Sequence, residues 1–181
     1  MAAAEVFGEQ GLSAARMETI AERAGVSVGT LYNHFDDRAA LLDALMKRRR
    51  EALLKRMDAA LAASAGRPFR EQLRTFLSAL AHHVSEHGAF LRVLIQSEEL
   101  VNRKARQGGS KTELHERLET LVARGVKSGE LRSEGHELFA TLLSGMTTAV
   151  FHRELGRGHG VERLEQSLEE AARVFLRGVE V

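Results

Sequence analysis

The chain has 181 residues, 44% hydrophobic and 28% charged, which excludes larger architectures than one domain or two small ones and favours a compact fold over disorder. Its 26 Lys and Arg balance 25 Asp and Glu, so overall charge announces no nucleic-acid partner, and the lack of cysteine removes disulfides, thiolate metal sites and cysteine nucleophiles. No apolar run nears the roughly 20 residues that span a bilayer, and residues 1–9 carry acids where a signal peptide carries bases, so a cytoplasmic location is expected and secretion or membrane spanning is not.

One proline, one tyrosine and no tryptophan, among abundant Ala, Leu, Glu and Arg, predict an all-α protein. Apolar spacing, with Gly, Ser and Pro as punctuation, predicts about nine helices. The first covers Ala2 to Gln10, buries Val6 and Phe7, and stops at Gly11. Met17 to Ala24 and Val28 to Phe35 form the next two, joined by Gly25, Val26 and Ser27. A fourth helix, Arg38 to Ala63, is capped by Asp36 or Asp37 and is long enough to bridge two subdomains. Pro68 suits the first turn of a fifth, which ends near His87 and Gly88. A sixth runs from Ala89 to Val101, and the basic stretch Asn102 to Lys111 reads as a mobile loop. Thr112 to Ser128, Glu134 to Leu155 and Val161 to Arg177 complete the set. The chain shows no internal repeat and no low-complexity tract.

The segment Thr19 to Ser27 has the makings of a tight helix-turn-helix. Ala21 is small enough for a second helix to approach, Gly25 can take positive φ, Val26 plugs the corner, and Ser27 can accept from the free amides of the third helix. At 100° per residue, Leu31 and Phe35 of that helix point inward and Val28 lies at the edge of their face. Gly29, Thr30 and Asn33 point outward, with Tyr32 and His34 on the flanks. A small, polar wedge of this kind suits a major groove. Asn33 matches an adenine edge, Val28 or Thr30 a thymine methyl, and Tyr32, His34 and Thr30 the phosphates. Gly29 in a short helix costs about 1 kcal/mol relative to alanine, which points to a need for close approach.

The string Ile20-Ala21-Glu22-Arg23-Ala24-Gly25-Val26-Ser27-Val28-Gly29-Thr30-Leu31-Tyr32-Asn33-His34-Phe35, followed by Arg38, Leu41 and Leu42, closely resembles the tetracycline-repressor (TetR) family of bacterial transcription regulators. The resemblance covers residues 1–48; beyond them only length, helical pattern and helix order match. It implies a three-helix helix-turn-helix DNA-binding domain over residues 1–48 and a helical ligand-binding and dimerisation domain over residues 49–181. A ligand-responsive regulator is then expected, a repressor that binds a palindromic operator in double-stranded DNA as a homodimer and is released by a small-molecule effector, nucleoid-associated when bound. By position, Thr30, Tyr32 and His34 match residues that contact the DNA backbone and nearby bases, and Arg38 matches a basic residue that holds a phosphate. Val28 and Asn33 fall where members vary and are candidates for sequence choice. Ser27, Val28, Gly29, Thr30, Tyr32, Asn33, His34 and Arg38 thus make up the expected DNA-binding set. Family members usually begin one to two turns earlier with a basic arm, so either this sequence is shorter than the natural product or the domain works with a clipped first helix and lacks an arm contact. Arg16 stands where a capping serine or threonine is frequent and reads as a surface arginine. The run Lys47 to Arg50 circles its helix and is mostly solvated, and with nine Lys and Arg against eight Asp and Glu over residues 1–57, binding must rest on the placement of a few charges.

In the larger part, Leu138, Leu142, Gly145 and Ala149 align on one helix, and Leu164, Leu168, Ala172 and Phe175 on the next. Both stripes are expected at a four-helix dimer interface of the family type, the alternative being closure of the monomer core. Phe76, His83, Phe90, Leu94, Phe139 and Met146 are the candidate pocket lining. His83 and His87 stand four apart with Glu86 and His82 nearby, but spacing places no third ligand. A zinc protease would need glutamate directly after the first histidine, where Val84 stands, so no metal is expected. With no nucleophile elbow, phosphate loop or cofactor motif, neither an enzyme nor a cofactor is expected. Two other readings remain open: a DNA-binding protein without small-molecule input, and a helical carrier or metal-binding module whose helix-turn-helix is structural.

Overall fold

The computed structural model describes residues 1–96 and 113–181, and among them it is helical throughout. The described residues hold nine α-helices: α1 (Ala2–Gln10), α2 (Met17–Ala24), α3 (Val28–His34), α4 (Arg38–Ala63), α5 (Phe69–Ser85), α6 (Gly88–Gln96), α7 (Glu113–Lys127), α8 (Phe139–Gly156) and α9 (Val161–Val179). The described residues hold no strand; the one β-type pairing is an isolated bridge between Leu131 and Glu180. No described helix is long and apolar enough to cross a membrane. The stretch 102–111 and the side chain of Leu94 lie outside the described residues.

Two compact units share the chain. The first takes residues 1–52 and the segment from His87 that carries α6. The single boundary expected after residue 48 leaves α6 outside this unit. The core of this unit collects Val6 and Phe7 of α1, Met17, Ile20 and Ala21 of α2, Leu31 of α3, Leu41 and Leu42 of α4, and Phe90 of α6. Phe7 and Phe90 lie ring to ring at 6.3 Å, with the Arg49 guanidinium 4.7 Å from the Phe90 centroid. α6 comes so close to α1 because Gly8 has no side chain: a Cβ there would meet Ala89 Cβ and the Phe90 nitrogen, both at 3.3 Å.

The second unit takes residues 53–86 and the chain from α7 onward. Met57 of α4, Phe69, Leu73 and Phe76 of α5, Leu121 of α7, Leu143 of α8 and Leu168 of α9 are all buried there. Helix α9 packs against both α5 and α8, and α7 against α8 and α5. A close approach again relies on a glycine. A Cβ at Gly125 of α7 would fall 2.7 Å from Phe69 Cδ2 and 2.8 Å from Leu131 Cδ1. Polar groups tie the same region, since Glu130 accepts from the Phe69 amide at 2.7 Å and Asp58 takes a two-point ion pair from Arg117 at 2.7 Å.

Several boundaries depart from expectation. Pro68 caps α5 from outside its first turn, and Glu86 ends that helix. The expected eighth helix does not start at Glu134. Gly135 turns left-handed at φ 72°, a short 3₁₀ turn (His136–Leu138) follows, and α8 proper starts at Phe139.

Candidate nucleic-acid interface

The turn between α2 and α3 is built as its residues dictate. Gly25 is left-handed at φ 71°, its neighbour Val26 donates its amide to the Ala21 carbonyl at 3.0 Å, and Ala21 is wholly buried. Val26 does not plug the corner, being 42% exposed. Ser27 Oγ accepts from the Thr30 amide at 3.0 Å, which caps α3, and lies 2.8 Å from Thr30 Oγ1.

The cap fixes which way α3 faces. Leu31 enters the core, with Val28 and Phe35 partly buried beside it. Gly29, Thr30, Tyr32, Asn33 and His34 are exposed together with Ser27. A Cβ at Gly29 would find only Ser27 Oγ, at 3.8 Å, so nothing in the fold demands a glycine there. The outer surface of α3 is therefore a polar ridge with donors and acceptors and a gap at its N-terminal end.

Arg38 is committed in part. Its Nη1 donates to the carbonyl of Ser13 and, at 3.5 Å, to that of Ala15, so it pins the α1–α2 loop. A guanidinium carries five N–H donors in a planar fork, which leaves others for a phosphate. Asp37 rather than Asp36 caps α4, accepting from the Ala40 amide at 2.7 Å. Arg23 of α2 also grips Glu9 of α1 through two bonds of 3.0 and 2.9 Å. The Arg23 guanidinium holds the Glu9 carboxyl below its ordinary range. The two residues are 14 apart, and no periodicity signals such a pair.

The candidate effector and dimer residues separate into different surroundings. Phe76 is buried in the second unit, Phe90 belongs to the core of the first, and Phe139 packs edge-on against Phe175 at 6.1 Å. His83 is buried and Met146 half-buried. A groove of about 460 Å³ does open in the second unit, between Leu73, Leu77 and Ser78 of α5 and Leu168, Ala172 and Leu176 of α9, and it shares no residue with the expected lining. Leu138, which ends the 3₁₀ turn, and Leu142 of α8 are 55% and 52% exposed, with Gly145 and Ala149 of α8 exposed as well. Leu164, Leu168, Ala172 and Phe175 of α9 are buried inside their own chain, so this stripe closes the monomer core. The face α9 leaves open carries Val174, 57% exposed.

At the end of α5, His82 is held by the Ser78 carbonyl and Glu165. His83, Glu86 and His87 instead bring one ligand atom each to within 4.8 Å of one another. Glu86 is the third group that spacing alone did not place.

Comparisons with known proteins agree with this geometry. The sequence model of the bacterial regulatory proteins of the tetR family matches residues 1–45, and that of the tetracyclin repressor-like C-terminal domain matches residues 66–152. The HTH-type transcriptional activator FasR of Mycolicibacterium smegmatis is 32% identical over 98 residues, 54% of this chain and 44% of that protein. The HTH-type transcriptional regulator UidR of Escherichia coli K12 is 40% identical over 55 residues, 30% of this chain and 28% of that one. The match thus covers less than half the length of either relative. A solved TetR-like transcriptional regulator from Rhodococcus sp. RHA1 superposes with a TM-score of 0.70 at 28% identity, over 98% of this chain and 92% of that one.

Proposed function

Because the chain belongs to the tetR family of bacterial regulatory proteins, we propose that it is a transcriptional regulator that reads operator DNA with α3. The observation that carries this reading is the outward face of α3. Gly29, Thr30, Tyr32, Asn33 and His34 are all exposed, while Ser27 caps the helix and Leu31 anchors it. Among the described residues none packs over that set, and a small polar face of this kind has a use in a major groove. Asn33 presents a donor and acceptor pair to an adenine edge, Val28 offers its edge to a thymine methyl, and Tyr32, His34 and Arg38 supply phosphate contacts.

The regulator acts as a homodimer on a palindrome. Support comes from the apolar strip Leu138, Leu142, Gly145 and Ala149, which the chain itself leaves open, with Val174 of α9 exposed as well. A small-molecule effector biases the position of α4 and so the spacing of two recognition helices, which must meet half-sites about one DNA turn apart. Repression follows from occupancy of the operator alone and is the simpler outcome, although FasR is an activator. In the cell the protein is cytoplasmic and sits on the nucleoid while bound to DNA, and it has no enzymatic activity.

The test is stoichiometry. Light scattering of the free chain and of its complex with a selected duplex is expected to give two chains in each. One chain per duplex, with undiminished sequence preference, would remove the dimer from the account.

A further inference from the structure

We propose that Ser27 is a positioning residue for DNA contact that acts through Thr30: its hydroxyl turns the Thr30 hydroxyl outward as a donor to a phosphate oxygen of the proposed operator. Three threonines of longer helices spend their hydroxyls on their own backbone. Thr75, Thr120 and Thr147 each donate to the carbonyl four residues back, those of Glu71, Glu116 and Leu143, at 2.9, 2.9 and 2.7 Å. Thr30 instead holds its Oγ1 2.8 Å from Ser27 Oγ. The difference has a local cause. Ser27 is the N-cap of α3, its Oγ accepts from the Thr30 amide at 3.0 Å, and that bond keeps the two hydroxyls side by side. Val26, four residues before Thr30, lies outside the helix.

A hydroxyl has one hydrogen and two lone pairs. Ser27 Oγ gives one lone pair to the Thr30 amide, and the contact between the two oxygens uses one of their two hydrogens. One O–H of the pair is left to donate away from the protein, and both residues are exposed. The cap decides which. Ser27 Oγ is turned to the start of α3, whereas Thr30 stands three residues before Asn33 and shares its outward face. With Ser27 as the inner donor, the bonds run head to tail from the Thr30 amide through Ser27 Oγ and Thr30 Oγ1 to the phosphate. Each donor in such a chain polarises the next, and the last bond is made to an anion, where hydrogen bonds are strongest.

This role rests on the reading of α3 as the DNA-binding helix. The test is a double-substitution cycle on the full chain, with affinity for one duplex, selected with the parent chain, measured by fluorescence anisotropy at fixed salt, and melting followed by circular dichroism. Thr30→Val is expected to weaken binding about tenfold or more and Ser27→Ala by less, about three- to tenfold, while Ser27→Ala adds less than about twofold in the Thr30→Val background. Thr30→Ser keeps the hydroxyl and is expected to keep most of the affinity. Ser27→Ala also removes the cap and is expected to lower Tm by about 2–4 °C. Ser27→Asn restores an acceptor for the Thr30 amide, and with it Tm, but not affinity, because a carbonyl oxygen has no hydrogen to give and draws the Thr30 hydrogen inward. Additive losses, a Ser27→Ala loss as large as that of Thr30→Val, or affinity regained in Ser27→Asn would overturn the proposal and leave DNA binding in place. If the parent chain selects no duplex, the regulator reading fails and this role fails with it.

Discussion

Gly29→Ala separates what the fold needs from what DNA needs. The added methyl meets only Ser27 Oγ, at 3.8 Å, an ordinary van der Waals contact, and Gly29 has no positive φ. In the free protein the substitution is therefore unstrained. Alanine raises helix preference and lowers the entropy of the unfolded chain, together about 0.5–1 kcal/mol. For a chain of this size that amounts to a rise in Tm of about 1–4 °C. At the operator the same methyl stands between the α3 backbone and the base edges, and a loss of at least about tenfold in affinity, or 1.4 kcal/mol, is expected. Thermal melting by circular dichroism and fluorescence anisotropy on one duplex at fixed salt give the two numbers. A variant with raised Tm and undiminished DNA binding would refute the functional reason for the glycine; a lowered Tm would refute the packing argument.

Other substitutions probe separate parts. Asn33→Ala is expected to relax preference at one position per half-site at a cost of about 1–3 kcal/mol, whereas Tyr32→Phe weakens all sequences alike; competition binding with single-base variants distinguishes them. Gly125→Ala forces a methyl to 2.7 Å from Phe69 Cδ2 and 2.8 Å from Leu131 Cδ1, and urea unfolding is expected to show a loss of about 1–3 kcal/mol. Leu142→Glu places a charge on the open strip of α8 and is expected to yield monomers in sedimentation while leaving the melting curve of the chain nearly unchanged. Glu154 is buried, bonded to His159 and, at 2.9 Å, to Ser167, and the His159 bond is the main reason its carboxyl titrates below the ordinary range. Its contribution to stability is complete above about pH 4.5, the unfolded value, and is lost as pH falls through the lower folded value. Glu154→Gln is therefore expected to flatten the acid limb of a stability–pH profile; an unchanged limb would contradict it.

The helix-turn-helix was legible because each of its residues has a local task. Ala21, Gly25, Ser27 and Leu31 lie within one turn or one cap of the atoms they serve, and spacing alone assigns them. The recognition face followed from the same periodicity, since burying Leu31 leaves Gly29, Thr30 and Asn33 no other direction. Long-range partners were not legible. That Arg38 closes on the Ser13 carbonyl, that Arg23 grips Glu9, and that Phe90 of α6 joins the core of α1 to α4 depend on loop closure, which leaves no local pattern. Amphipathic stripes misled in one instance. Leu164, Leu168, Ala172 and Phe175 read equally well as dimer or core, and periodicity contains no term that says which neighbour covers a stripe. Val26 looks like a corner plug because a small apolar residue follows Gly25, but its side chain is left 42% exposed.

The most direct measurement is selection of duplexes from a random library at moderate salt, with Asn33→Ala run in parallel. The account predicts enrichment of a palindrome with half-sites about one turn apart, whose preference relaxes at one symmetric pair of positions in the variant. Enrichment of no sequence, or of one that Asn33→Ala recovers unchanged, would contradict it.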